Sequence, residues 1–214
     1  MGTRQADFPV EPLFLERWSP RAFDAEPITE AALMTVLEAA RWAPSAFNIQ
    51  PWRFIYARRE EPGWEELLSL LIPFNQSWAA RASALIFVAS ERTAPSTSGG
   101  SPTPSYSHSF DAGAAWACLS LQATLMGLFA HAMTGFDVQR AYKVLSVPSS
   151  MRLEAAIALG KIGDKSALPE ALQAREQLSS RKPLKELVSK ARYTSGGEGG
   201  IRILSTGLVD PGIA

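Results

Sequence analysis

Apolar positions recur at helical spacing in TEAALMTVLEAAR (Thr29–Arg41), where Leu33, Val36, Leu37 and Ala40 share one face. Thr29 can cap the start of this helix, and Pro44 lies just beyond its end. The stretch WRFIYA (Trp52–Ala57) alternates aromatic and β-branched residues against Arg53 and predicts a strand. ALIFVAS (Ala84–Ser90) is apolar throughout, as a strand buried on both faces requires. LEAAIALG (Leu153–Gly160) predicts a third strand. Between the last two lies FDAGAAWACLSLQATLMGLFAHA (Phe110–Ala132), apolar on most sides, which predicts one long central helix covered from several directions. Shorter helices are predicted at Trp64–Leu71, Asn75–Arg81 and Gln139–Leu145. Another is predicted to begin at Pro183 in PLKELVSKAR, where proline suits the first turn. Helices with a few interspersed strands make an α+β sandwich of sheet and helices.

Two segments break this patterning. TAPSTSGGSPTPSYSHS (Thr93–Ser109) is rich in Ser, Thr, Pro and Gly and longer than a routine connection, so it reads as a gating loop or as a passive linker. After a Gly-rich break, Ser195–Ala214 reads as an arm crossing onto a partner or as an appendage without function. The expected organisation is one domain over residues 1–194 with a tail at 195–214. No internal repeat is present.

Composition narrows the function classes. The chain has 214 residues, 46% hydrophobic and 20% charged, a size that buries a core without a disulfide or metal staple. With 21 basic and 21 acidic residues it lacks the basic excess of a nucleic-acid binder, and near-zero net charge lowers one barrier to self-association. Cys118 is the only cysteine, so no intrachain disulfide can form, and its apolar surroundings read as helix packing rather than as a nucleophile. His108 and His131 are the only histidines, with no zinc-ligand spacing. The N-terminal residues carry no apolar leader and no run reaches membrane-spanning length, so a cytoplasmic protein is expected.

Candidate chemistry collects in three places. In RWSPRAF (Arg17–Phe23) two arginines flank Ser19; they form a solvated turn or converge on a phosphate, which a guanidinium fork suits. SSRKP (Ser179–Pro183) places Arg181 and Lys182 together, either as a solvated pair or as a second part of an anion site. PSAFNIQPW (Pro44–Trp52) offers Ser45, Asn48 and Gln50, as turn caps or as hydrogen-bonding groups for a flat heterocycle. No glycine-rich dinucleotide or phosphate loop follows a predicted strand, and no nucleophile elbow or Ser/His/Asp set is present.

In order along the chain, RWSPRAF, AARWAPSAFNIQPWRF, FNQSWAARASALIFVAS, MTGFD, ALGKIG and SSRKPLKELV resemble the FMN-dependent nitroreductase family. The likeness runs from Phe14 to Tyr193. It implies a three-layer sandwich, a central mostly antiparallel sheet flanked by helices, with FMN sites at a homodimer interface. By this resemblance Arg17 and Ser19, beside Trp18, contact the flavin phosphate and ribityl chain, and Arg181 completes the phosphate site. Arg21 approaches the N1/O2 edge of the ring, and Asn75 bonds its polar edge. Met133, Thr134 and Gly135 face the flavin near N5, while Pro44, Ser45, Ala46 and Asn48 reach over from the other subunit. No metal and no side-chain acid, base or nucleophile is implied, because the cofactor carries the chemistry. The implied activity takes hydride from NADH or NADPH through flavin N5 to a nitroaromatic, quinone or similar small acceptor in a ping-pong cycle. A flavin-binding protein with little turnover, or a specialised activity such as reductive dehalogenation, is the alternative. Two positions depart from the family pattern: many relatives are basic where this chain has Trp78, and often where it has Ser179.

Overall fold

The computed structural model describes residues 4–96 and 99–193; the expected tail and its boundary at 194/195 lie outside them. The described residues form two compact units, one within residues 12–177 and a smaller one made of residues 4–11 and 178–193.

In the larger unit the helices are α1 (Pro12–Glu16), α2 (Glu30–Arg41), α3 (Trp64–Leu70), α4 (Pro73–Ala79), α5 (His108–Leu125), α6 (Val138–Val144) and α7 (Glu170–Gln173). The strands are β1 (Trp52–Arg58), β2 (Ala84–Glu91), β3 (Thr93–Ala94), β4 (Thr103–Pro104), β5 (Phe129–Met133) and β6 (Met151–Gly160). A four-stranded sheet runs β1-β2-β6-β5, antiparallel throughout, with a register shift between Val88 and Ala89 where β2 meets β6. The continuous apolar run of β2 has the predicted cause: the strand is central and both its faces are covered. Ala84, Ile86 and Val88 pack with Leu33 and Val36 of α2 and with Ala115 and Leu119 of α5. Leu85, Phe87 and Ala89 pack against Trp64, Leu67 and Leu70 of α3 and Trp78 of α4. The two-residue alternation of a strand thus divides one run between two cores, and the result is a helix–sheet–helix sandwich.

Thr29 caps α2 as expected, its side chain accepting from the Ala32 amide at 3.1 Å. Four expectations need correction. The helix predicted over Phe110–Ala132 ends at Leu125, and Phe129–Met133 is the edge strand β5. Gly127 is the reason: at φ 69° it takes the left-handed position, its amide bonds Thr124 O at 3.0 Å, and Leu128 N returns to Ala123 O at 2.8 Å. The helix predicted from Pro183 is only a single 3-10 turn, Leu184–Glu186. No residue of that turn is buried and Leu187 is exposed, so no buried apolar face supports a longer helix. The Thr93–Ser109 segment is not wholly irregular, because β3 and β4 pair Thr93 with Pro104 and Ala94 with Thr103. Finally, α4 starts two residues before its predicted start, with Pro73 in the first turn.

At the base of this β3–β4 hairpin the buried Ser90 hydroxyl donates to Glu154 Oε1 at 2.6 Å, and Ser109 Oγ donates to the same oxygen at 2.7 Å. His108 Nδ1 lies 2.7 Å from Ser90 Oγ.

Candidate functional site

Residues 17–23 are held against the end of β6 by backbone. Phe23 bridges Ile162, Gly163 N donates to Ala22 O at 2.8 Å, and Asp24 N donates to Lys161 O at 3.2 Å. A Cβ on Gly163 would stand 2.6 Å from the Phe23 carbonyl carbon, so only glycine permits this approach. Pro20, Ala22 and Phe23 are buried, while Arg17, Trp18, Ser19 and Arg21 are half-buried. Apolar anchors therefore alternate with polar side chains left at the surface of the unit.

Each polar member is then positioned from a different element. Arg17 Nη1 donates to Ser19 Oγ at 3.4 Å, placing a guanidinium and a hydroxyl together. Trp18 packs edge-on against Phe129 of β5, ring centroids 6.3 Å apart. The Pro20 carbonyl accepts from Nδ1 of His131, also on β5, at 2.9 Å. Burial is the main force pulling the His131 pKa down to about 4; the Pro20 bond opposes it and Arg21 adds to it, so the imidazole is neutral at neutral pH. The Arg21 guanidinium carbon lies 6.0 Å from the ring centre of Trp78, which also packs 4.7 Å from His131 and 6.3 Å from Phe23. The Glu176 carboxylate accepts the Arg21 and Ala22 amides on one oxygen, at 2.7 and 2.8 Å. Burial first, then Arg175, lowers the Arg21 pKa, and Glu176 opposes them.

The second wall comes from α4 and the turn after β5. Ile72 N and Asn75 Nδ2 both donate to Gly135 O, at 3.1 and 2.9 Å, and Leu71 bridges Phe136. Asn75 and Met133 are buried and Thr134 is exposed. A Cβ on Gly135 would meet Asn75 Nδ2 at 2.5 Å, so any larger residue here would have to displace the Asn75 and Ile72 side chains. Asn75 and Trp78 share α4, and His131 and Met133 lie two apart on β5. The Arg21 loop and the 133–135 turn are thereby assembled on the same two elements.

Pro44, Ser45, Ala46 and Asn48 are organised elsewhere. Ser45 Oγ accepts Gln50 N at 3.0 Å, and Ala46 N donates to the buried carboxylate of Asp111 in the first turn of α5 at 3.2 Å. Phe47, Asn48 and Gln50 all take positive φ. This strained loop and the β3–β4 hairpin flank an open pocket of about 890 Å³ lined in part by Phe47, Asn48, Thr103 and Tyr106.

Arg181 belongs to the smaller unit, where its Nη1 donates to Ser179 Oγ at 2.8 Å and Ser180 O at 3.0 Å. Arg4 Nε donates to Ser179 O at 2.9 Å, and Arg4 is lowered in pKa by burial and by Arg181. A second guanidinium, that of Arg4, therefore stands at Ser179, the position where this chain lacks the basic residue of the family pattern.

Sequence reasoning assigned no role to Glu176, His131 or Arg4. Glu176 sits in the polar run AREQ, which reads as solvated surface, and His131 lay within the run read as helix. Among the described residues no group of three or more His, Cys, Asp or Glu side chains is placed to hold a metal ion, and no helix is long and apolar enough to cross a membrane.

A donor-rich arginine–serine loop lies on a helix-covered antiparallel sheet, the arrangement of an α+β sandwich. The chain belongs to the nitroreductase family, whose model matches residues 15–161. A crystal structure of an oxidoreductase containing FMN is 47% identical, covering 90% of this chain and 96% of that one, with a TM-score of 0.87. An FMN complex from Desulfovibrio desulfuricans, its protein assigned as a nitroreductase, is 25% identical over 87% of this chain and all of that one, TM-score 0.64. An uncharacterized 15.4 kDa protein of Mycolicibacterium smegmatis is 38% identical over 109 residues, 51% of this chain and 69% of that one.

Proposed function

We propose that the protein is an FMN-dependent oxidoreductase, working as a homodimer, that uses NADH or NADPH to reduce an electron-poor small molecule. The observation that carries this reading is the half-buried Arg21, held at the meeting of α4 and β5, whose Nε is buried without a hydrogen-bond partner. A cation fixed there with a donor to spare suits an acceptor-rich ligand edge. Arg17 and Ser19 form an adjacent donor pair suited to a phosphate or a polyol. The FMN content of the 47%-identical oxidoreductase supports the same cofactor.

Bound FMN would supply hydride acceptance and delivery at N5; the chain itself would bind, orient and shield. Arg17 and Ser19 would hold the phosphate and ribityl chain. Arg21 would oppose negative charge at the N1/O2 edge. Asn75 and the 133–135 turn would flank the ring, with residues 44–48 contributed by the second subunit. His131, neutral and donating to Pro20, is suited to fixing the loop rather than to moving protons. The exposed Phe14, Trp42, Phe110 and Leu125 support a homodimer, since large apolar side chains left in water favour a partner surface. A cytoplasmic location fits a chain with a single cysteine. Iodotyrosine deiodinase, bound to FMN and 3-iodo-L-tyrosine, is 23% identical with a TM-score of 0.55, a likeness of fold that lends no weight to dehalogenation here.

The test is a visible spectrum of the purified protein, mass analysis of the released cofactor, and anaerobic titration with NADH and NADPH. Flavin bands, FMN on release, bleaching by one or both nicotinamides and recovery with a nitroarene or quinone are expected. A colourless protein that takes up no added FMN overturns the reading. Bound FMN that neither nicotinamide bleaches overturns its enzymatic part.

A further inference from the structure

We infer that Glu176 is a positioning residue for Arg21 and that its charge sets how strongly Arg21 favours two-electron-reduced over oxidised FMN. The inference rests on the proposed placing of Arg21 at the flavin ring. One carboxylate oxygen accepts the amides of both Arg21 and Ala22, so the backbone from which the Arg21 side chain springs is fixed by Glu176. Any neutral acceptor could satisfy two amides, and the carboxylate adds a negative charge. Glu176 Oε2 is buried and without a hydrogen-bond partner, and so is Arg21 Nε. A carboxylate oxygen left unsatisfied is costly, and its field is weakly screened by solvent.

Among the described residues, two charged groups act on Arg21. Glu176 counteracts the cation, Arg175 reinforces the local positive charge, and His131 contributes none at neutral pH. The Trp78 ring supplies the remaining wall and carries no formal charge. Glu176 is therefore the group that restrains the field of Arg21. Removing its charge while keeping an oxygen acceptor should leave Arg21 in place and more strongly attractive to the anionic reduced ring.

The experiment compares wild type, Glu176→Gln and Glu176→Asp. Dissociation constants for oxidised FMN come from flavin fluorescence, and the ratio of reduced to oxidised affinity comes from a dye-equilibrated reductive titration. Glu176→Gln should raise the preference for reduced FMN by roughly tenfold, the scale of one unit charge in a partly buried site. Glu176→Asp, which keeps the charge, should stay within about twofold of wild type. An unchanged ratio in Glu176→Gln overturns the proposal and makes Glu176 a structural cap. If Glu176→Gln loses its fold by circular dichroism, the isosteric pair Glu176→Asp and Glu176→Asn decides: a clearly higher reduced-to-oxidised ratio in Glu176→Asn upholds the proposal, and equal ratios overturn it. Wild-type protein that binds no FMN refutes the proposed function instead, so the two failures are distinguishable.

Discussion

At the residue scale, Arg21 and His131 lie close together and act in different ways. Arg21 is a cation kept half-buried, and its replacement by alanine should weaken reduced FMN more than oxidised FMN. A loss of about 1–3 kcal/mol in that preference is the size of a charge-assisted contact in a shielded site. A fall in the measured reduction potential is the expected result, and an unchanged potential would count against Arg21 at the ring. His131 is instead a pH-sensitive support. Its folded pKa of about 4 lies below the usual histidine value, so between about pH 6.5 and 4 the unfolded chain binds more protons than the folded one. Stability is therefore fully present above about pH 6.5 and falls as the pH is lowered through this window, by at most about 3 kcal/mol. Urea unfolding at pH 7 and pH 4.5 measures the fall, and His131→Gln should flatten it.

At the element scale, the position of the Arg21 loop depends on glycines that permit backbone contact. Gly163→Ala would force a Cβ to within 2.6 Å of the Phe23 backbone, which cannot swing aside as a side-chain tip can. We expect roughly 2–4 kcal/mol of destabilisation and weakened FMN binding, read by thermal unfolding and flavin fluorescence. Much of this level was legible beforehand. The α2 face, the buried run of β2 and the strand at β6 followed from periodicity, because burial on one or two faces leaves a direct mark on sequence. The edge strand β5 did not, since FAHAM continues the apolar run of α5 and only Gly127 marks the break. Arg17, Ser19 and Arg21 could be named from a compact motif. Glu176 could not, because it meets them only across 155 residues of chain, through a hydrogen bond that no local pattern encodes.

At the scale of the whole molecule, the proposed dimer follows from what the larger unit leaves in water. Helix α5 is apolar on most sides, yet Phe110 is 82% and Leu125 is 67% exposed, at the two ends of the same helix. Burying such side chains contributes roughly 1.5–3 kcal/mol each. A stable interface of standard size needs on the order of 800 Å² from each partner. Phe110→Asp tests the point cleanly, because a residue so exposed in the protomer can change without disturbing either core. The variant should unfold within about 0.5 kcal/mol of wild type once dimer dissociation is allowed for, as surface changes usually do. Its dimer dissociation constant should rise by at least about tenfold, since an aspartate carboxylate would have to be desolvated in an apolar contact. Light scattering or sedimentation at micromolar concentration reads the change. If residues 44–48 of the second subunit complete the site, FMN affinity should fall in parallel with the dimer and recover as protein concentration is raised. A monomer that keeps its full FMN affinity would separate flavin binding from dimerisation and place the whole site within one chain.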